Sequence, residues 1–202
     1  MSRGRRAAII SEVRVHRKPL LAQLERYLAR NPGERLAVDH VTQFVRANAD
    51  CFERSCRDGH VTGSAWILSH DRTQFLLTHH RKLGRWLQLG GHADGDPDPA
   101  EVALREAREE SGMEEFEFAV LGPEREPFDV DVHVIPATAR EPEHLHHDVR
   151  YLLVAAPGQE LRVSGESHDL RWFPCARALD VLDDESQLRM ARKASLWLRG
   201  AL

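Results

Sequence analysis

Cysteine is scarce in this chain. Cys51, Cys56 and Cys175 are its three thiols, and no two of them form a CxxC pair. A disulfide framework is therefore excluded, and an odd, sparse set fits a reducing cytoplasm. Long apolar runs are missing as well. None approaches the ~20 residues that a membrane helix needs, so no membrane association is expected. The opening "MSRGRRAAII" has basic residues but no long apolar region behind them, which argues against a signal peptide. Arg3, Arg5 and Arg6 read as a solvated terminus. There is no basic excess either: the net charge is -4, which argues against broad binding to a large nucleic acid. Internal repeats and low-complexity tracts are absent. What is left is 202 residues, 42% hydrophobic and 30% charged, the composition of a globular chain with one ordinary domain and room for an appendage.

The first part of the chain reads as helical, from residue 5 to about 57. Leu20, Leu21, Leu24, Tyr27 and Leu28 recur at helical spacing, "NPGE" at 31–34 breaks the pattern, and Val38, Val41, Phe44, Val45 and Phe52 carry a second stretch over 38–55. Cys51 and Cys56 are then helix packing residues. The texture changes after that. "HVTGSAWILSH" and "TQFLLTHH" read as strands joined by a turn at Asp71-Arg72, and "RWLQL" is another short strand. "PFDVDVHVIPA" alternates with period two, as a strand with one wet face does; "DVRYLLVAA" and "DLRWF" follow, and "ESQLRMARKASLWLR" closes as an amphipathic helix. The expected division is a helical N-terminal segment, residues 1–57, and an α/β domain, residues 58–202, with hairpin-type strands and helices among them.

Chemistry concentrates in "LQLGGHADGDPDPAEVALREAREESGM", Leu87 to Met113. Asp98 can cap a helix, Pro99 suits its first turn, Glu101 stands where a capping box places its acid, and Gly112 can end the helix after Ser111. Glu106, Glu109 and Glu110 fall at i, i+3 and i+4 and share one face. Such a stripe repels itself, and only Arg105 and Arg108 are interleaved with it. A hard divalent cation relieves that repulsion, and Mg²⁺ favours a few carboxylates together with phosphate oxygens. The Gly90-Gly91 turn just upstream lets backbone approach a ligand closely. Carboxylates beside an exposed glycine turn suggest a diphosphate site.

The spacing of Gly91, Arg105, Glu106, Ala107, Glu109, Glu110, Gly112 and Met113 strongly resembles the Nudix box, G-x5-E-x7-R-E-U-x-E-E-x-G-U, with U apolar. Pro97 departs from it, standing where the family usually has the Glu that holds the box Arg. Glu101, one turn before Arg105, is expected to take over that role, with Asp96 and Asp98 as the other candidates. The box covers 23 residues, and the similarity extends from about His60 to Trp172. The resemblance implies an α/β/α sandwich with a mixed sheet, here preceded by N-terminal helices. It implies hydrolysis of a nucleoside diphosphate linked to another group, assisted by Mg²⁺ or Mn²⁺. Glu106, Glu109 and Glu110 would hold the cations with help from a Gly90 or Gly91 carbonyl, and Arg105 would orient Glu106 or Glu109. His92 is a candidate phosphate contact. Glu166, six residues before Trp172, resembles the loop Glu of MutT-type members that serves as metal ligand or base, a role for which the box carboxylates compete.

A second cluster, "EPEHLHHDVRY", puts His144, His146 and Asp148 on one strand face, where they would line the substrate pocket, with a wet face or a Zn²⁺ site as the other readings. His79, His80, Arg81, Lys82 and Arg85 add basic groups before the box, while Trp86 and Trp172 read as core. Two other functions share this fold: a diphosphate isomerase, whose cysteine is missing from the "LQLGGHAD" region, and a nucleotide-binding module or sensor, against which the intact carboxylates speak. The N-terminal helices either cover the sheet or form a homodimer contact.

Overall fold

The computed structural model describes residues 3–122, 124–138, 141–165 and 167–202, with side chains from His16 onward. Helix α1 (Arg3–Arg30) is followed by a single 3-10 turn, Pro32–Glu34, and by α2 (Arg35–Ala47). Helix α2 stops well before residue 55. The Asn48 side-chain amide donates to the Phe44 carbonyl at 3.1 Å, and Asn48 itself is extended, which ends the helix. The apolar spacing that carries on to Phe52 belongs to a run of turns, in which Cys51 and Cys56 are buried although they are not helical.

Eight strands then form one mixed sheet. They are β1 (Gly59–Leu68), β2 (Gln74–His80), β3 (Arg85–Leu87), β4 (Leu89–His92), β5 (Phe116–Phe118), β6 (Asp129–Ile135), β7 (His144–Ala155) and β8 (Ser167–Pro174). Strands β1 and β7 run parallel through the centre, with Gly59 opposite Leu145 and Leu68 opposite Val154. Every other pairing is antiparallel: β2 and β4 on β1, β3 and β8 on β2, β5 and β6 on β7. The β1–β2 turn falls at the expected residues: Asp71 Oδ1 accepts from the Thr73 amide at 3.1 Å, and Arg72 is left-handed at φ 60°. Helix α3 (Pro99–Ser111) follows β4, and short α4 (Ala178–Val181) and α5 (Glu185–Leu198) complete the chain.

Alternation along β1 serves two cores. Val61, Ala65 and Ile67 face α1, α2 and α3 and pack with Leu20, Leu24, Val41, Val45 and Ala103, whereas Trp66 and Leu68 face α5 and pack with Phe75, Met190 and Ala194. The architecture is therefore an α/β/α sandwich, and α1 and α2 cover the sheet instead of standing apart from it. Trp86 and Trp172 each pack against one of these cores, as read from sequence.

Gly63 decides how closely α3 can lie on the sheet. A methyl group there would sit 2.5 Å from the Pro99 carbonyl oxygen and 3.0 Å from the Ala103 amide nitrogen, both backbone atoms. Gly63→Ala should therefore lift α3 and cost about 1–3 kcal/mol, the usual range for overpacking. Urea unfolding of the variant beside the parent chain measures it, and an unchanged midpoint would show that the helix can shift freely.

The polar face of β6 is dry only at its start, since the His133 side chain further along remains 39% exposed. Asp129 is fully buried, and its carboxylate accepts from Arg150 at 3.1 Å, Arg189 at 2.7 Å and Lys193 at 2.7 Å. Burial works to raise the Asp129 carboxyl, but the hydrogen bonds of Arg189 and the charges of Arg150 and Lys193 outweigh it and hold the group below the usual carboxylate range. Lys193 Nζ also donates to Tyr27 Oη at 2.5 Å and pairs with Glu34 at 2.6 Å, so the same network clasps α1 to α5. Period two in a sequence reports which residues share a face, but not whether that face meets water or cations.

Candidate active site

Helix α3 begins and ends as its sequence requires. Asp98 accepts from the Ala100 amide at 3.0 Å, Pro99 opens the first turn, and Gly112 closes the helix at φ 70° with its amide donating to the Arg108 carbonyl at 2.9 Å. The reciprocal half of the capping box does not form. The Asp98 amide goes to Asp96 Oδ1 at 3.0 Å, because Glu101 is paired with Arg125. Glu106 is half-buried, Glu109 exposed and Glu110 buried, and all three line one cleft of about 550 Å³.

The glycine pair forms the floor beside them. Strand β4 pairs with β1 so that Gly91 lies opposite Gly63 and Gly90 opposite Ser64. A Cβ on Gly91 would fall 2.5 Å from the Glu106 carboxylate, and one on Gly90 would fall 2.3 Å from Ser64 Oγ. The Gly90 amide donates to Glu110 Oε2 at 3.2 Å. The bare Gly91 thus lets the Glu106 carboxylate rest directly on the strand, while Gly90 leaves room for Ser64. Gly91→Ala should displace Glu106, a flexible side chain, more than it disturbs the backbone. Any reaction carried out in this cleft should then slow at least about tenfold with little change in melting temperature, since an error of about 1 Å at a reacting centre is costly. Normal turnover in that variant would release Gly91 from any role.

The partner of Arg105 is a correction to the sequence reading. Glu101 does not reach it. Arg105 Nη2 donates to the His92 carbonyl at 2.8 Å and to Glu106 Oε1 at 2.9 Å, while its Nε is buried without a hydrogen-bond partner. Neither Asp96 nor Asp98 bonds it among the described residues. Pro97 has thus left one donor of the guanidinium unanswered, and Arg105 still fixes Glu106 on the glycine floor.

Around this centre the cleft carries a few cations and is rich in imidazole. Arg54, His80, Lys82, His92, His133 and His146 line it. Arg54 was not legible as a site residue; it enters from the turns after α2 and grips Asp94 with two hydrogen bonds, at 2.5 and 2.9 Å. Arg85 goes elsewhere: it pairs with Asp183 at 3.2 Å and Asp184 at 3.5 Å, before α5, and does not line the cleft. Asp148 borders the cleft but is 1% exposed, with its oxygens taken by Thr62 at 2.8 Å, Ser64 at 2.7 Å and Arg150 at 2.7 Å. It holds β1 and β7 together and has little capacity left for a substrate. Glu166 lies outside the described residues, although Ser164, two positions earlier, lines the cleft.

Burial, then the neighbouring His92 and His144, push His60 down to about 4; burial, then His92 and His133, push His146 lower still. His92 is lowered by burial and by Arg54. These imidazoles are therefore neutral rings at neutral pH; His92 and His146 line the cleft, and His60 does not.

The NUDIX domain profile matches residues 60–194. The chain belongs to the Nudix family. Among solved structures it is similar to an Ap4A hydrolase of C. elegans in a binary complex, at 19% identity and TM-score 0.56, covering 69% of this chain and 98% of that one. It is also similar to a NUDIX-family hydrolase from Clostridium perfringens, at 22% identity and TM-score 0.53, covering 68% and 97%. At such identities the likeness is one of fold. No curated protein sequence matches the chain.

Proposed function

We propose that this chain is a hydrolase of phosphoric anhydride bonds, cleaving a nucleoside diphosphate linked to another group with Mg²⁺, or Mn²⁺, as cofactor. The observation that carries the reading is that Glu106 rests on the bare Gly91, Glu110 accepts from the Gly90 amide, and Glu109 lines the same cleft. The donor set fits a hard cation, being carboxylate oxygen with backbone carbonyl close by. Glu106, Glu109 and Glu110 would hold the ions, with Gly91 contributing its carbonyl. When bound, the ions neutralise the diphosphate and stabilise charge developing on it. The chain's own groups do the rest. Arg105 is a positioning residue that holds Glu106 against Gly91. Lys82 and Arg54 offer N–H donors to phosphate oxygens, and His92 and His146 offer neutral rings to the same ligand.

Glu166 is proposed as the base that takes a proton from the attacking water. Glu166→Gln should then lower the rate by ~10²–10⁴-fold and abolish the acidic limb of the pH–rate profile. If that limb persists, the base is one of the box carboxylates. The reading as a whole is tested with a panel of ADP-ribose, nucleotide sugars, dinucleoside polyphosphates, oxidised nucleotides, NADH and coenzyme A derivatives in Mg²⁺ and in Mn²⁺, followed as phosphate freed by a coupled phosphatase. Metal-dependent release from at least one substrate, abolished by EDTA, is expected. Binding of those compounds without release would identify a sensor instead.

A further inference from the structure

Three strands bring three imidazoles together beside the carboxylate centre. His60 is on β1, His92 on β4 and His146 on β7. The parallel register sets His60 opposite His146, and the antiparallel one sets His92 opposite Thr62, two residues along β1. The ring centroids lie 4.8 Å apart for His60 and His92, 4.8 Å for His60 and His146, and 5.0 Å for His92 and His146. One nitrogen from each ring lies within 4.8 Å of one from both others.

Hydrogen bonding does not account for this cluster. His60 is 4% exposed, yet both of its ring nitrogens are buried without a partner, as is His146 Nε2. Buried polar atoms left unpaired are costly, and three rings turned toward one another share no donor–acceptor pair that would offset the cost. A cation accepting their lone pairs would. We propose that His60, His92 and His146 form a transition-metal site of the Zn²⁺ class, distinct in its ligands from the carboxylate centre; an ion there would occupy the rings of His92 and His146 otherwise offered to the substrate.

The chemistry distinguishes the two sites. Imidazole nitrogen suits Zn²⁺ and its neighbours in the first transition row, whereas Mg²⁺ takes oxygen. Tetrahedral Zn²⁺ with nitrogen at its usual bond length separates its donors by about 3.3 Å, so the rings need only small rotations to close on an ion. Three protein nitrogens leave a fourth position for a solvent or cleft ligand, and His92 and His146 both face the cleft. The donors sit on paired strands, which fixes the triangle before any metal arrives.

The test uses the full chain with saturating Mg²⁺ present. Zn²⁺ is titrated by calorimetry, and Co²⁺ by its visible absorption bands. One equivalent of each should bind, with Co²⁺ giving four-coordinate bands. His146→Gln and His60→Gln should weaken uptake by at least about tenfold, the scale seen even when groups behind a ligand are removed. His92→Gln serves if the buried His60 variant fails to fold. Glu109→Gln and Glu110→Gln should leave Zn²⁺ uptake unchanged. The proposal is overturned if the parent chain takes up neither metal, if the histidine variants bind as well as the parent, or if the glutamate variants abolish binding and so place the ion among the carboxylates.

Discussion

Glu109→Gln should lower turnover by about 10²-fold or more while the melting temperature stays near that of the parent chain. Both halves follow from its place in the cleft. Glu109 is the exposed member of the three box carboxylates, whereas Glu106 is engaged by Arg105 and Glu110 by the Gly90 amide. A neutral amide of the same shape removes charge from the proposed cation-binding face without opening a cavity or stranding a buried partner. Removing one group that stabilises developing charge costs about 10²–10³ in rate in well-studied cases. The effect should fall on kcat and kcat/KM together, since the lost interaction matters most in the transition state. It should also be larger than that of Arg105→Lys, because Arg105 acts only through Glu106. Full activity in Glu109→Gln, measured on whichever substrate the panel identifies, would remove the cation assignment from this residue.

Arg150→Met should be the most destabilising single change in the polar interior. Its guanidinium is 2% exposed and donates to Asp148 at 2.7 Å and to Asp129 and Asp131 at 3.1 Å each. Methionine fills similar volume but leaves three carboxylates short of a cation in a poorly solvated place. Breaking a buried pair from one side typically costs about 3–5 kcal/mol, which for a chain of this size corresponds to roughly 10 °C in melting temperature. A shift under about 2 °C would mean that Arg189 and Lys193 carry the load alone. The same carboxylates give the fold its acid sensitivity. Burial works to raise Asp131, yet its hydrogen bonds and the charges of Arg150 and Arg189 leave it depressed, as Asp129 is. Stability from such groups is fully present above the unfolded value near 4, and is lost as pH falls through the lower folded values. The parent chain should therefore weaken steadily below about pH 4, and calorimetric scans across that range should show a shallower acid slope in Arg150→Met.

What the sequence made legible was local. Helix α3 could be bounded by eye because Asp98, Pro99 and Gly112 act on their own neighbours, and the strand turn at Asp71 obeys the same short-range rules, whereas the glycine pair read as a turn lies in strand β4. The carboxylate stripe was readable for a related reason, since a helix fixes what shares its face. The early end of α2 at Asn48 was a local misreading, but the other failures crossed the chain. Glu101 stands one turn from Arg105, yet it pairs with Arg125, which the segment before β6 carries to the helix surface. Arg54 belongs to the cleft only because the turns after α2 fold back to Asp94. His60 looked like an isolated strand residue until the parallel register set it opposite His146, and a parallel pairing across so long an excursion leaves no mark in spacing. The Asp129 face was misread because its cations lie on β7 and α5.

The contact between Tyr27 and Lys193 spans 166 positions, and its two ends leave the ribosome at opposite times. Helices α1 and α2 emerge first, but the surface they must cover is made of β1 and β7, and the ammonium that closes their buried phenol arrives only with the last helix. Until β7 is made, Leu20, Leu24 and Val41 have no finished sheet to bury them. Folding of this region should accordingly be governed by long-range closure rather than by stepwise growth from α1. Nascent chains arrested before residue 193 should remain open to protease within α1, and should need a chaperone's protection longer than a chain whose first helices find their partners nearby.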